Sequence, residues 1–88
     1  MTHVVVDTVA SAEAEADRLY RQFLDAQEPI EASQPYELAR KLLRRAGHDH
    51  PLKVLTNALW HEITAGIKAG EVVPVQGRHH GVYKPKKT

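Results

Sequence analysis

The feature that most constrains this chain is the run from residue 51 to residue 84, PLKVLTNALWHEITAGIKAGEVVPVQGRHHGVYK. Leu55, Ala58, Leu59, Ile63 and Ile67 recur at three- and four-residue steps, the period of a helix with one buried side. The same period gathers Lys53, Asn57, Thr64 and Lys68 on the opposite face. Gly70 ends the helix, and Val72, Val73 and Val75 predict a strand over residues 71–75. Pro74 confines that strand to a sheet edge or a bulge, because proline has no N–H for a second neighbour. Residues 77–81 form a glycine-flanked basic turn, and a return strand follows over residues 81–84. A polar helix face followed by a hairpin with a cationic tip is a surface suited to entering a groove.

The first fifty residues supply the support for that surface. Ser11 is the expected N-cap of a first helix, with Glu13 and Glu15 in the first turn, where the helix dipole favours acids. Ala12, Ala16, Leu19, Tyr20, Phe23 and Leu24 make its apolar stripe to about Ala26, and its acids are expected to face away. Pro29 biases the preceding residue out of the helical basin, so Ile30 is expected to pair as one short strand with the later hairpin. A second helix begins after a cap at Ser33 or Gln34, with Pro35 in its first turn. Leu38, Ala39, Leu42, Leu43 and Ala46 face inward, Arg40, Lys41, Arg44 and Arg45 face outward, and Gly47 closes the helix. Pro51 is expected as the first residue of the third helix. The 88 residues are read as one domain with a core over about residues 9–85 and a basic tail at 86–88.

Charge is segregated along the chain. Residues 1–37 hold two cations against eight acids, and residues 38–88 hold ten against three, although the formal net charge is only +1. This asymmetry points to a polyanionic partner for the second half. There are no cysteines, so disulfides, thiolate nucleophiles and cysteine zinc sites are excluded. No apolar run approaches the roughly 20 residues that cross a bilayer. Val4-Val5-Val6 lacks the length and basic lead-in of a signal-peptide core. A soluble, cytoplasmic protein without membrane contact is expected, nucleoid-associated if bacterial or phage-encoded.

Helix, extended segment, helix, turn, helix, hairpin is the element order of the winged helix-turn-helix superfamily, and the local text resembles it. ELARKLLRRAG (37–47) is similar to that superfamily's second helix. ALWHEITAGIKAGEVVPV (58–75) is similar to the end of its recognition helix running into the first wing strand, and QGRHHGVYKP (76–85) to the wing tip and returning strand. The resemblance spans about residues 9–85 and identifies no subfamily. It implies an α+β fold, a small three-helix winged helix-turn-helix with a C-terminal β-hairpin wing. One difference stands out: residues 47–51 are polar and histidine-bearing, where many members have a shorter turn around a small hydrophobic residue.

The function this implies is double-stranded DNA binding, sequence-specific or architectural, by a transcriptional regulator or accessory factor. An α-helix fits the major groove, and side chains near its N-terminus read base edges. Lys53, Thr56 and Asn57 occupy that end and are the expected base contacts. Arg44, Arg45, Arg78 and Lys84 are the expected phosphate contacts, assisted at the wing by His79 and His80. A homodimer is an expected partner state, with residues 4–6 and the first helix as its interface. One alternative is a winged-helix adaptor that binds protein without nucleic acid, for which the Trp60 face is the candidate surface, and another is RNA binding through the same basic surface. Six histidines include His48, His50, His79 and His80, but their spacing matches no closed zinc motif, so no metal or cofactor is expected. Ser11 and Ser33 read as cap or turn residues, the acids as solubilising charge, and no enzyme is expected.

Overall fold

The computed structural model describes residues 8–76 and 81–86. Its order is α1 (Val9–Ala26), β1 (Ile30–Ala32), α2 (Pro35–Arg45), α3 (Lys53–Ala69), β2 (Val72–Gln76) and β3 (Gly81–Pro85). Three helices pack on one face of a three-stranded antiparallel sheet ordered β1-β3-β2, the α+β architecture expected.

Local chemistry sets the helix ends, with two departures from expectation. Thr8, not Ser11, is the N-cap of α1, and Ser11 is the third helical residue. The Ser11 N–H donates to Thr8 Oγ1 at 3.1 Å, and the Thr8 N–H donates to Ser11 Oγ at 3.0 Å. Each hydroxyl thereby satisfies a donor the first turn would leave free, a reciprocal box that starts the helix three residues early. α3 starts at Lys53 rather than Pro51, because the extended Leu52 is its cap and accepts the Leu55 and Thr56 N–H groups at 3.0 and 3.1 Å. Pro35 does stand at the start of α2, after Gln34. α2 closes through Gly47, whose φ of +93° is left-handed and strained for any other residue. From there the His48 N–H reaches back to the Leu43 carbonyl at 2.9 Å.

The sheet follows the residue alternation. Ile30 lies opposite Tyr83 and Ala32 opposite Gly81, while Val73 faces Lys84 and Val75 faces Val82 on the other side of β3. Ile30, Ala32, Val72, Tyr83 and Pro85 turn inward and are buried. Glu31, Val73, Val75, Val82 and Lys84 occupy the outer face. β2 is an edge strand, where Pro74 is tolerated.

Leu38, Leu43, Leu55, Leu59, Ile63 and Val72 are the largest fully buried side chains. Removing each from water stabilises the fold by about 1.5–3 kcal/mol before conformational entropy is counted. α1 and α3 run side by side in the same direction, since Val9 and Glu13 flank Lys53 and Asn57 at one end while Tyr20 meets Gly66 at the other. At that second meeting a Cβ on residue 66 would overlap the Tyr20 hydroxyl, so only glycine fits.

Candidate nucleic-acid interface

The expectation that the acids of α1 face solvent fails at Glu15. Its carboxylate is buried and accepts from Arg18 Nε and Nη2 at 2.7 and 2.8 Å. His48 Nε2, in the turn between α2 and α3, lies 2.8 Å from the same group. The Arg18 hydrogen bonds, with help from His48, hold the Glu15 carboxyl below its ordinary range despite burial. The polar turn between α2 and α3 is therefore tied to α1 through a buried carboxylate.

Helical geometry then decides what α3 presents. Lys53, Asn57, Thr64 and Lys68 fall together on the face away from the core, all exposed or half-buried, with Trp60 and His61 beside them. Thr56 does not join them. It is 4% exposed, and its hydroxyl donates to the Leu52 carbonyl at 3.3 Å, so its side chain is withdrawn from any base-reading surface. Lys53 and Asn57 also line an open groove against α1, with Val9, Glu13, Val54, Ala58 and His61.

α2 meets this face through an aromatic contact. The Tyr36 and Trp60 rings stand edge to face with centroids 5.9 Å apart and planes at 75°. The His61 ring is tilted against Trp60 at 5.1 Å. Arg40 and Arg44 follow Tyr36 at four-residue steps, so they extend the same stripe of α2.

Arg45 is turned the other way. Its Nη1 lies 3.3 Å from Glu28 Oε1, beside the end of α1, so the structure separates it from Arg44. Lys84 stands on the outer face of the sheet, opposite Val73. Arg78, His79 and His80 lie outside the described residues.

A division among the cations emerges. Arg18, Arg21, Lys41 and Arg45 are each paired with a carboxylate, at 2.7, 2.9, 3.7 and 3.3 Å. Arg40, Arg44, Lys53, Lys68, Lys84 and Lys86 have no acidic partner among the described residues. Four of these six lie on the joined α2–α3 surface. Sequence reading named Arg44 and Lys53 there but assigned no contact to Arg40, Lys68 or Tyr36. The spacing 36, 40, 44 carried the signal for α2.

Among the described residues no three histidine or acidic side chains converge in a way that would hold a metal ion. No described helix is long and apolar enough to cross a membrane. No family model, curated protein or solved structure matches the chain.

Proposed function

We propose that this chain is a winged helix-turn-helix protein that binds double-stranded DNA, with α3 in the major groove and α2 along the phosphate backbone. The observation that supports this most is the partition of its cations. Arg18, Arg21, Lys41 and Arg45 are engaged by carboxylates, whereas Arg40, Arg44, Lys53 and Lys68, on the exposed sides of α2 and α3, have no acidic partner among the described residues. Unpaired surface cations around an exposed helix are what a polyphosphate requires, because each contact releases counterions from the duplex. Asn57 is the residue best suited to base reading, since its amide can pair with adenine N6 and N7. Lys53 reaches guanine or a neighbouring phosphate. A role as a transcriptional regulator or accessory factor rests on this reading, as does a homodimer binding two half-sites.

The test is anisotropy of a labelled mixed-sequence duplex over a range of salt concentrations. Neutralising two to four phosphates gives log K against log[salt] a slope of about −2 to −4. A duplex left unbound even at low salt ends the proposal.

A second reading has its own observation. Val9, in the first turn of α1, is 63% exposed and lines the groove shared by Lys53 and Asn57, and Leu52, the cap of α3, is 55% exposed. An apolar rim at that place fits a protein-binding adaptor. Under that reading Val9→Ser, which adds no charge beside Lys53, weakens complex formation while leaving any duplex affinity unchanged.

A further inference from the structure

The chain has one tryptophan, Trp60, and it is neither wholly buried nor free. It stands half-buried on the flank of α3, edge to face with the half-buried Tyr36 from the first turn of α2. Neither the indole N–H nor the phenol O–H has a hydrogen-bond partner among the described residues. Among the described residues no fully buried side-chain nitrogen or oxygen is left unpaired, so both groups reach the surface. Two aromatic residues that served packing alone would need no polar ends. Here each has its ring against its neighbour and its donor outward, on the surface where Arg40, Arg44, Lys53 and Lys68 have no acidic partner among the described residues. Glu37, the acid next to Tyr36, is engaged by Lys41 at 3.7 Å and by the Ser33 hydroxyl, which tempers its charge.

We propose that Trp60 and Tyr36 form a phosphate-binding seam between α2 and α3, in which the indole N–H and the phenol O–H donate to phosphodiester oxygens of duplex DNA. The proposal rests on the DNA-binding reading and adds a subsite that reading does not contain. Neutral donors at the backbone fix orientation and register, and arginines supply the charge. Trp and Tyr suit that role because each has only two side-chain torsions to immobilise. The edge-to-face contact holds the rings at 75°, so one stretch of backbone seated on both would set α3 at one angle in the groove.

The single tryptophan makes the test direct. Trp60 emission is followed while unlabelled duplex is added at low salt, and binding is measured in parallel by anisotropy of the labelled duplex. Emission is expected to change and saturate at the same duplex concentration as the anisotropy. Trp60→Phe, which keeps a ring against Tyr36 and removes the donor, is expected to weaken binding by about five- to ten-fold. The salt slope should stay as in the wild type, because a neutral donor releases no counterion, whereas Arg40→Ala should reduce it by about one contact. Tyr36→Phe, which removes a single oxygen, repeats the test should the tryptophan variant misfold. A saturating anisotropy titration with unchanged Trp60 emission, or wild-type affinity in both phenylalanine variants, overturns the seam and leaves DNA binding standing. No saturation of anisotropy with wild-type protein at low salt overturns both.

Discussion

Tyr20 and Gly66 interlock across the α1–α3 contact. The glycine leaves the space that the tyrosine hydroxyl fills, and from there that hydroxyl donates to Glu71 Oε1 at 2.9 Å. One absent side chain in α3 thus lets α1 reach the start of the hairpin. Burial, then the Glu71 carboxylate, raises the Tyr20 phenol well above its ordinary range, so it stays a donor at any physiological pH.

Gly66→Ala is therefore expected to destabilise the fold even though alanine favours a helix by about 1 kcal/mol. Overpacking at the ring, typically a cost of about 1–3 kcal/mol, should exceed that gain. In urea denaturation, Gly66→Ala with Tyr20→Phe should lose less than the two single variants combined, because the removed oxygen is the worst of the clashing atoms, although the ring carbon that bore it stays close. Strict additivity would show that the two side chains do not share that space.

Glu15 gives the protein an acid-sensitive clamp. Its folded-state carboxyl titrates below its unfolded value, chiefly through Arg18. The stability it contributes is complete above the unfolded value and disappears as pH falls through the folded one. Glu15→Gln should cost about 1–3 kcal/mol at pH 7, a range that allows for solvent screening at Arg18, whose side chain is 49% exposed. As pH falls below the ordinary carboxylate value of about 4.3, the gap between variant and wild type should narrow in thermal denaturation. A constant gap across pH would assign the loss to packing.

Glu62 carries the opposite sign. Burial first, and then the nearby Asp17, raises its carboxyl above the ordinary value. A proton held more tightly when folded favours the fold at low pH, and this contribution is lost as pH rises through the folded value. At pH 7 the ionised group opposes folding, so Glu62→Gln should raise the melting temperature by about 2–5 °C. The gain should shrink on acidification toward pH 4. A lower melting temperature at pH 7 would show that the carboxylate supports the fold.

Arg44 and Arg45 are neighbours in sequence with opposite surroundings, and duplex binding should separate them. Arg44→Ala and Arg40→Ala should each reduce the salt slope by about 0.9. Arg45→Ala should leave it unchanged, since its guanidinium is engaged with Glu28. Equal losses at all three positions would mean diffuse attraction to the duplex without the orientation proposed.

The elements were legible because their signals are local. Proline and glycine mark the ends of α2 and α3, helical periodicity marks their inner faces, and a valine-rich run around Pro74 marks an edge strand. The misread positions depend on what lies across space. Thr8 and Ser11 offer the same capping chemistry, and only their mutual bonds tell which begins α1. Glu15 resembles its solvated neighbours until His48, 33 residues later, is brought to it. Thr56 is polar by composition, yet its hydroxyl is satisfied by the Leu52 carbonyl one turn back, so burial costs little. Arg45 reads like Arg44 until Glu28 is placed. On the candidate surface, the exposed face of α3 was visible from periodicity, whereas the meeting of Tyr36 with Trp60 needed the packing of two helices.

The strand order has a consequence for how the chain is made. β3 is the middle strand and the last of the six described elements, so β1 waits for a partner about fifty residues downstream, as Ile30 does for Tyr83. During folding, the three helices can begin to associate while both outer strands still lack their hydrogen-bonding neighbour. The final strand then inserts between them and completes two ladders in one step. A chain released without residues 81–85 would hold a helical cluster with two open strand edges, the state most exposed to pairing with another chain.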